Sequence, residues 1–358
     1  MPQDTLPRDY TLTGKNRHTG FDLADWYTTP VDRKRLKTLM KRDDQTALIN
    51  YAIWLGSIIL LGSLLVITWG SWWAVPVAIL YGVFYGSGGD SRWHETGHGT
   101  VFKTRWLNDV FYQLASFMSL RNPHVWRWSH TRHHSETVVV GRDPEIAFPR
   151  PPSLWQWALN LIYVPTLVGE LQKMVRISFG SLTEAEKSYT PEIDRGKAVW
   201  ASRAQLAILL ATVGLSLSLQ SWLPLMLIGL PTFYGSWLHH LMATTQHAGL
   251  AEDLPDHRLN SRTVLMNPFF RFIYSNMNYH VEHHMFPNVP FYALPALHDE
   301  IKHDCPPPYP SLWAAYREII PTVIRQQKDY GHFAARPLPE GAGPTPDTQR
   351  HPMPMAAE

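Results

Sequence analysis

Apolar residues gather along this chain in a few long runs. Tyr51–Trp69 (YAIWLGSIILLGSLLVITW) carries no charge over nineteen residues, the length of a membrane-spanning helix. After Gly70 and Ser71 a second run follows, Trp72 to about Gly86, and the arrangement repeats with Ala204–Leu219, a break at Gln220 and Ser221, and Trp222–Leu241. This pattern predicts two helical hairpins. Trp69, Trp72, Trp73 and Trp222 fall at the hairpin tips, where interfacial aromatics belong, and neither tip carries a charge. A cationic stretch precedes the first run (Arg33, Lys34, Arg35, Lys37, Lys41, Arg42). By the bias of such flanks, it and the charged middle and C-terminal segments are expected together on the cytoplasmic side. The competing reading makes the runs buried helices of a soluble protein, since two are short for a span of about 30 Å. Uncharged runs of about twenty residues are uncommon in soluble cores.

Other segments order the rest. Leu154–Val168 is apolar but interrupted by Pro165, which predicts an interfacial or re-entrant helix and not a fifth span. Phe291–Asp304 suggests a lid or surface helix starting near Leu294, with His298 and His303 exposed. The first thirty residues are polar without an apolar core, so no secretory signal is expected. The organisation read from these features is a cytosolic arm over 1–50, a membrane domain over 51–304, a cap helix within 305–334 and a Pro- and Gly-rich disordered tail over 335–358.

Composition narrows the chemistry. With 32 Lys and Arg against 30 Asp and Glu in 358 residues, the net charge is +2, which argues against nucleic-acid binding. The single cysteine, Cys305, excludes a disulfide framework and Cys-based metal or iron–sulfur sites. Mean hydropathy is −0.20, an average that hides the segregation of apolar runs. Eighteen histidines prompt a search for metal ligands.

They are clustered. His94-Glu-Thr-Gly-His98 follows the second run, and residues i and i+4 of a helix share one face. His130, His133 and His134 stand at i, i+3 and i+4, and His280, His283 and His284 repeat that spacing after the fourth run. A single such cluster is compatible with a solvated helix face; three on one side of a membrane point to metal. Eight imidazoles are too many for one four-coordinate zinc and suit two metals, while imidazole alone does not choose among iron, zinc, copper and nickel. The alternative is a membrane zinc metalloprotease, because HETGH matches H-E-x-x-H with Glu95 as general base. That reading leaves most of the other histidines unexplained.

HETGHGT, WSHTRHH and NMNYHVEHHMFP resemble the three histidine boxes of the membrane fatty acid desaturase/hydroxylase superfamily, over about Tyr51–Asp304. HETGHGTVFKTRWLND and NYHVEHHMFPNVPFYALPALH are similar to a bacterial branch that includes the rhizopine-catabolism hydrocarbon oxygenase. The first box has three intervening residues where many acyl-CoA desaturases have four, which bears on chain specificity more than on the metals. The resemblance implies an all-α integral membrane fold of four transmembrane helices with a cytosolic histidine-rich cap. It implies two non-haem iron ions held by His94, His98, His130, His133, His134, His280, His283 and His284. His247 in TTQHAGL matches the place of a further ligand, for which His239 and His240 compete. Asp143 and Glu145 in GRDPE are candidates to orient ligands, and Asn276 and Asn278 to hold a metal-bound water. Arg127, Arg132 and Arg271 are candidates for an acidic donor, a carboxylate substrate or lipid headgroups.

The implied activity is O2-dependent oxidation of C–H bonds in a lipid, hydrocarbon or small methylated substrate, by desaturation, hydroxylation or demethylation. The sequence carries no dinucleotide fingerprint, cysteine set or fused cytochrome, so electrons are expected from a separate ferredoxin or cytochrome with an NAD(P)H reductase. The expected location is a bacterial-type inner membrane, with the boxes and both termini cytoplasmic. Oligomeric state is left open.

Overall fold

The computed structural model describes residues 9–12 and 26–345. Among them every extended regular element is a helix, and extended backbone pairs only at two isolated bridges, Thr263 with Tyr279 and Val264 with Tyr309. The chain enters through α1 (Arg33–Leu39), whose first amides are capped by the Asp32 carboxylate, and α2 (Asp44–Thr68), capped in the same way by Asp43. At 1.5 Å per residue α2 is about 38 Å long, and it carries the whole first apolar run up to Thr68.

The second run begins as α3 (Ala74–Gly82), passes through a π turn at Val83–Ser87 and continues without a break as α4 (Gly88–Gly97). The first histidine box therefore rides on the inner end of the second apolar helix. α5 (Arg105–Met118) packs along α4, and α6 (Pro123–Ser135) carries the second box, its start fixed by Pro123 and by the Asn122 side chain accepting from His124 and Val125. α7 (Leu154–Leu159) and α8 (Val164–Ser178) occupy the segment expected to break at Pro165. The break falls earlier, at Tyr163 with φ of 56°. Pro165 lies in the first turn of α8, where its missing N–H costs nothing.

α9 (Glu184–Tyr189) leads into α10 (Glu192–Ser218), which contains the third run. The α1–α2 segment and α10 are the described helices long and apolar enough to cross a bilayer, and only 22% of each apolar window is buried. A core helix of a soluble protein would be mostly covered. Ile59, Ile67, Leu217, Trp72 and Trp222 are instead exposed.

The fourth run is not one helix. It divides into α11 (Leu223–Leu227), α12 (Leu230–Gly235) and α13 (Trp237–His247), because Pro224 and Pro231 lack amide donors and Gly229 adopts a φ of 91°. α12 crosses α3 at glycines: a Cβ on Gly235 would lie 1.9 Å from the Gly82 carbonyl oxygen. Just beyond, Ser87 Oγ donates to the Gly235 carbonyl at 2.6 Å and accepts from the His239 amide at 2.9 Å. This contact sets α13 against α4, and His247 at the end of α13 meets the second and third boxes.

Short helices close the structure: α14 (His257–Asn260), α15 (Pro268–Ile273), α16 (His280–Met285) with the third box, α17 (Leu294–Ile301) and α18 (Leu312–Arg325). α17 starts at Leu294, and its Leu294, Leu297 and Ile301 are fully buried with Phe102, Met285 and Phe286. Each such side chain contributes about 1.5–3 kcal/mol. Part of the stretch expected to be disordered is placed here: the Gly343 amide donates to Asp304 and its carbonyl accepts from Arg258. Residues 346–358, like 1–8 and 13–25, lie outside the described residues.

Candidate metal centre

The nine histidines singled out in the sequence come together as two groups of imidazoles. His94, His98, His130, His134 and His283 form one, and His133, His247, His280 and His284 the other, with one nitrogen from each residue within 4.8 Å of all the others in its group. The boxes do not map onto the groups one to one. Each HxxHH helix sends its i and i+4 imidazoles to one group and its i+3 imidazole to the other. Adjacent residues of an α-helix point about 100° apart, so the His133–His134 and His283–His284 pairs must diverge. α6 and α16 thereby straddle both groups.

The Nε2 atoms converge. In the first group His98 and His134 each approach His130 Nε2 at 3.1 Å, and His283 approaches His134 at 3.2 Å. In the second, His280 Nε2 is 2.9 Å from His247 Nε2 and 3.0 Å from His284 Nε2. Imidazole nitrogens bound to one ion at about 2.1 Å and at right angles would stand about 3.0 Å apart. His94 Nε2 is buried with no hydrogen-bond partner. The donor set fits two ions.

The opposite edges of five of the rings face acceptors, whereas Nδ1 of His134, His280 and His283 is buried without a partner. His130 Nδ1 faces Glu145 Oε2 at 2.9 Å, His133 Nδ1 faces Asp143 Oδ2 at 2.8 Å, and His94 Nδ1 faces Glu95 Oε1 at 3.1 Å. His247 Nδ1 faces the Asn260 carbonyl at 2.8 Å. Thr137 Oγ1 donates to the His133 carbonyl and so presents only a lone pair to His284 Nδ1 at 3.1 Å. A carbonyl or carboxylate can only accept, so these rings carry hydrogen on Nδ1 and leave Nε2 bare and inward.

Electrostatics agree. Burial, reinforced by neighbouring imidazoles, holds His94, His98, His134, His247, His280, His283 and His284 well below the ordinary histidine range. At neutral pH they are uncharged donors. Burial also pulls His133 down, but Asp143 more than reverses it. Burial would raise the Glu145 carboxyl, and His130 instead holds it down at about 2.

Other expected residues separate clearly. Asp143 and Glu145 touch imidazoles as described. Asn276 and Asn278 are not brought to them: Asn276 accepts from Arg271 and donates to the Phe291 carbonyl, and Asn278 donates to the Val264 carbonyl. They organise the turn before α16, where Ser275 and Asn276 adopt positive φ. His239 and His240 also stand apart, against Asp90 and the Trp157 carbonyl. His298 is not exposed but half-buried, 2.5 Å from Glu282 Oε1. Arg127 lies over Tyr112, and Arg132 pairs with Glu136. Sequence reasoning missed Thr137 and Asn260 as ring partners. Neither carries a motif, and one acts through its backbone.

A cavity of about 580 Å³ reaches both groups, touching His94 and His130 of the first and His133, His247 and His280 of the second.

The family model described as "Fatty acid desaturase" matches residues 70–316, well over half of the chain and all nine imidazoles. This chain belongs to the fatty acid desaturase family. A Punica granatum Delta(12)-acyl-lipid-desaturase is 24% identical over 72% of this chain and 74% of its own length. The Glycine max omega-6 fatty acid desaturase, endoplasmic reticulum isozyme 1, is 25% identical over 71% and 72%, and a Synechocystis sn-1 oleoyl-lipid 12-desaturase 24% over 71% and 77%. As a member of this family the chain is an oxidoreductase. The zinc-protease alternative finds no support. Glu95 faces the Nδ1 edge of His94, away from the Nε2 cluster, so it is not placed to act as a general base on a water held there.

Proposed function

We propose that this desaturase-family chain is an integral-membrane, O2-dependent di-iron oxidoreductase acting on C–H bonds of a lipid, hydrocarbon or small methylated substrate. The observation that carries the reading is the division of nine imidazoles into groups of five and four, each with Nε2 atoms about 3 Å apart. His94, His98, His130, His134 and His283 would hold one iron, and His133, His247, His280 and His284 the other. When bound, the irons supply O2 activation with two external electrons. In hydroxylation, one C–H, O2, two electrons and two protons give an alcohol and water; in desaturation, two hydrogens leave the substrate and two waters form.

The residues of the chain do the positioning. Asp143, Glu145, Glu95, Thr137 and the Asn260 carbonyl hold the rings of His133, His130, His94, His284 and His247 in the tautomer that offers Nε2. α17 and its buried Leu294, Leu297 and Ile301 help close the site off from water. The exposed apolar faces of α2 and α10 and the tryptophans at 69, 72, 73 and 222 support a four-span reading, with the site in a cytoplasmic cap of an inner membrane. Its third and fourth crossings would be α10 and the segmented 223–247 stretch. An external one-electron carrier, a ferredoxin or cytochrome with its reductase, is part of the proposal. One Arabidopsis thaliana relative is named for cytochrome b5.

Metal analysis of the purified chain with Mössbauer spectroscopy on an iron-57 preparation tests the reading. Two irons per chain, coupled after oxidation, is the expected result. One zinc and no iron after iron-supplemented growth would refute it.

A further inference from the structure

The helix α18 is apolar on two sides. Its Ala315, Ile319 and Val323 pack inward with Ala248 and Val264, while Trp313, Ile320 and Ile324 on its other side are 71%, 42% and 53% exposed. Together with Arg317 these three stand at the i, i+7, i+11 and i+4 positions of one face, a strip about 17 Å long. Arg317, Arg325 and Lys328 are exposed on or beside the strip. The acidic side chains of this end are engaged, Glu318 with buried Arg262 at 3.0 Å and Asp329 with Arg325 at 3.4 Å. A helix that covers one apolar face and leaves a second one bare has a further surface to meet.

The place of α18 in the fold identifies that surface. Tyr316 Oη donates at 2.7 Å to the carbonyl of Leu241, the residue that ends the fourth apolar run. Leu312 and Met266 pack against the cluster of Val83, Leu238 and Met242. On α15, the Phe269 ring lies 6.2 Å from that of Phe84, in the π turn of the second run. Phe269 and Leu265 are themselves exposed, as are Val75 and Ile79 on α3. The bare apolar surface therefore runs from the second run across α15 onto α18, where cations edge it. Continuity with a lipid-facing helix and a basic margin are the marks of a helix lying in the plane of a bilayer surface.

Resting on the membrane-spanning reading above, we propose that α18, with the exposed part of α15, is an interfacial anchor that lies along the bilayer surface on the side of the metal centre. Trp313, Ile320 and Ile324 sit among acyl chains just below the headgroups, and Arg317, Arg325 and Lys328 extend to the headgroup level. The anchor also frames the cavity. Gln327, just past α18, donates to the Pro152 carbonyl, and Arg150 donates to the Tyr330 carbonyl. Arg150, Pro151 and Ser153 line the cavity, so seating α18 on lipid fixes that rim at the membrane surface.

Site-directed spin labelling of the iron-loaded full chain, in nanodiscs of phosphatidylcholine and phosphatidylglycerol, tests this. Cys305 is buried, which leaves an introduced cysteine as the labelled one. For nitroxides at Trp313→Cys, Ile320→Cys and Ile324→Cys, the ratio of collisions with O2 to collisions with nickel ethylenediaminediacetate should exceed the ratio at Glu184→Cys by about fivefold or more. Glu184 is 90% exposed in its side chain and supplies the water reference, and Ile59→Cys on α2 and Leu217→Cys on α10 supply the lipid reference. Water-like ratios on α18 overturn the proposal. Protection of the α18 labels from both reagents overturns it as well, because a protein partner or a second copy would then cover the strip. The references keep the two readings apart: lipid-like ratios at Ile59 and Leu217 with water-like ratios on α18 fail only this proposal, and water-like ratios at all five sites fail the membrane-spanning reading.

Discussion

His280 Nε2 stands 2.9 Å from His247 Nε2, although the two residues lie on different helices and 33 positions apart. The contact joins α13 to α16 and makes a histidine outside the three boxes equivalent to those within them. His239 and His240, eight and seven positions earlier on α13, instead meet Asp90 and the Trp157 carbonyl. His247→Ala is therefore expected to lower iron from two to about one per chain, whereas His240→Ala retains both. Inductively coupled plasma mass spectrometry on the purified variants checks this; unchanged iron in His247→Ala would remove it from the ligand set.

Asp143 receives three interactions at once, from His133 Nδ1 and from the Val138 and Glu145 amides. Outer partners of metal-bound imidazoles are commonly worth about 10–100-fold in metal affinity. Asp143→Asn should lose iron to a competing chelator about that much more readily. Asn276→Ala, which changes only the turn before α16, should match the wild type in the same chelator titration.

Gly235 and Gly82 touch backbone to backbone. A methyl group at Gly235 would fall 1.9 Å from the Gly82 carbonyl oxygen, far inside van der Waals contact, so Gly235→Ala must push α12 off α3. Overpacking usually costs about 1–3 kcal/mol, and here the blocking atom is backbone, which yields least. The expected result is a lower thermal midpoint and reduced iron loading, since the same crossing carries α13. A midpoint equal to the wild type would show that the crossing is looser than described.

Arg258 is fully buried between Asp256 and Asp304, with Tyr27 beneath its guanidinium and the Gly343 carbonyl above. Arg258→Met leaves two buried carboxylates without their cation. Removing one partner of a buried pair costs about 3–5 kcal/mol. The readout is chemical denaturation in detergent, with proteolysis near residue 340 expected to accelerate as the Gly343 contact is lost.

The three boxes, the apolar runs and the absence of charge within those runs are all local features. Helical periodicity and hydropathy act on neighbouring residues, so the sequence alone was enough to foresee an all-helical chain and to single out nine histidines and two carboxylates that the fold brings together. It was also enough to foresee α17 at Leu294. Misreadings arose where a local signal had two outcomes. Pro165 was read as a break and serves as a first-turn residue, because the left-handed Tyr163 had already ended the preceding helix. The fourth run was read as one helix, and Pro224, Gly229 and Pro231 divide it.

Tertiary structure alone decided how the imidazoles are shared between the groups. The 100° turn between adjacent helical residues guarantees that His133 and His134 diverge, but which group each reaches depends on how α6 and α16 face one another across α4. It also decided that Asn260 holds His247 through a carbonyl that any residue would supply. The charged group at the cavity wall belongs to this class as well. Asp90 on α4 and His239 on α13 lie far apart in the chain and meet where α3 and α12 pack closely at Gly82 and Gly235, and Arg121 joins them from the turn between α5 and α6.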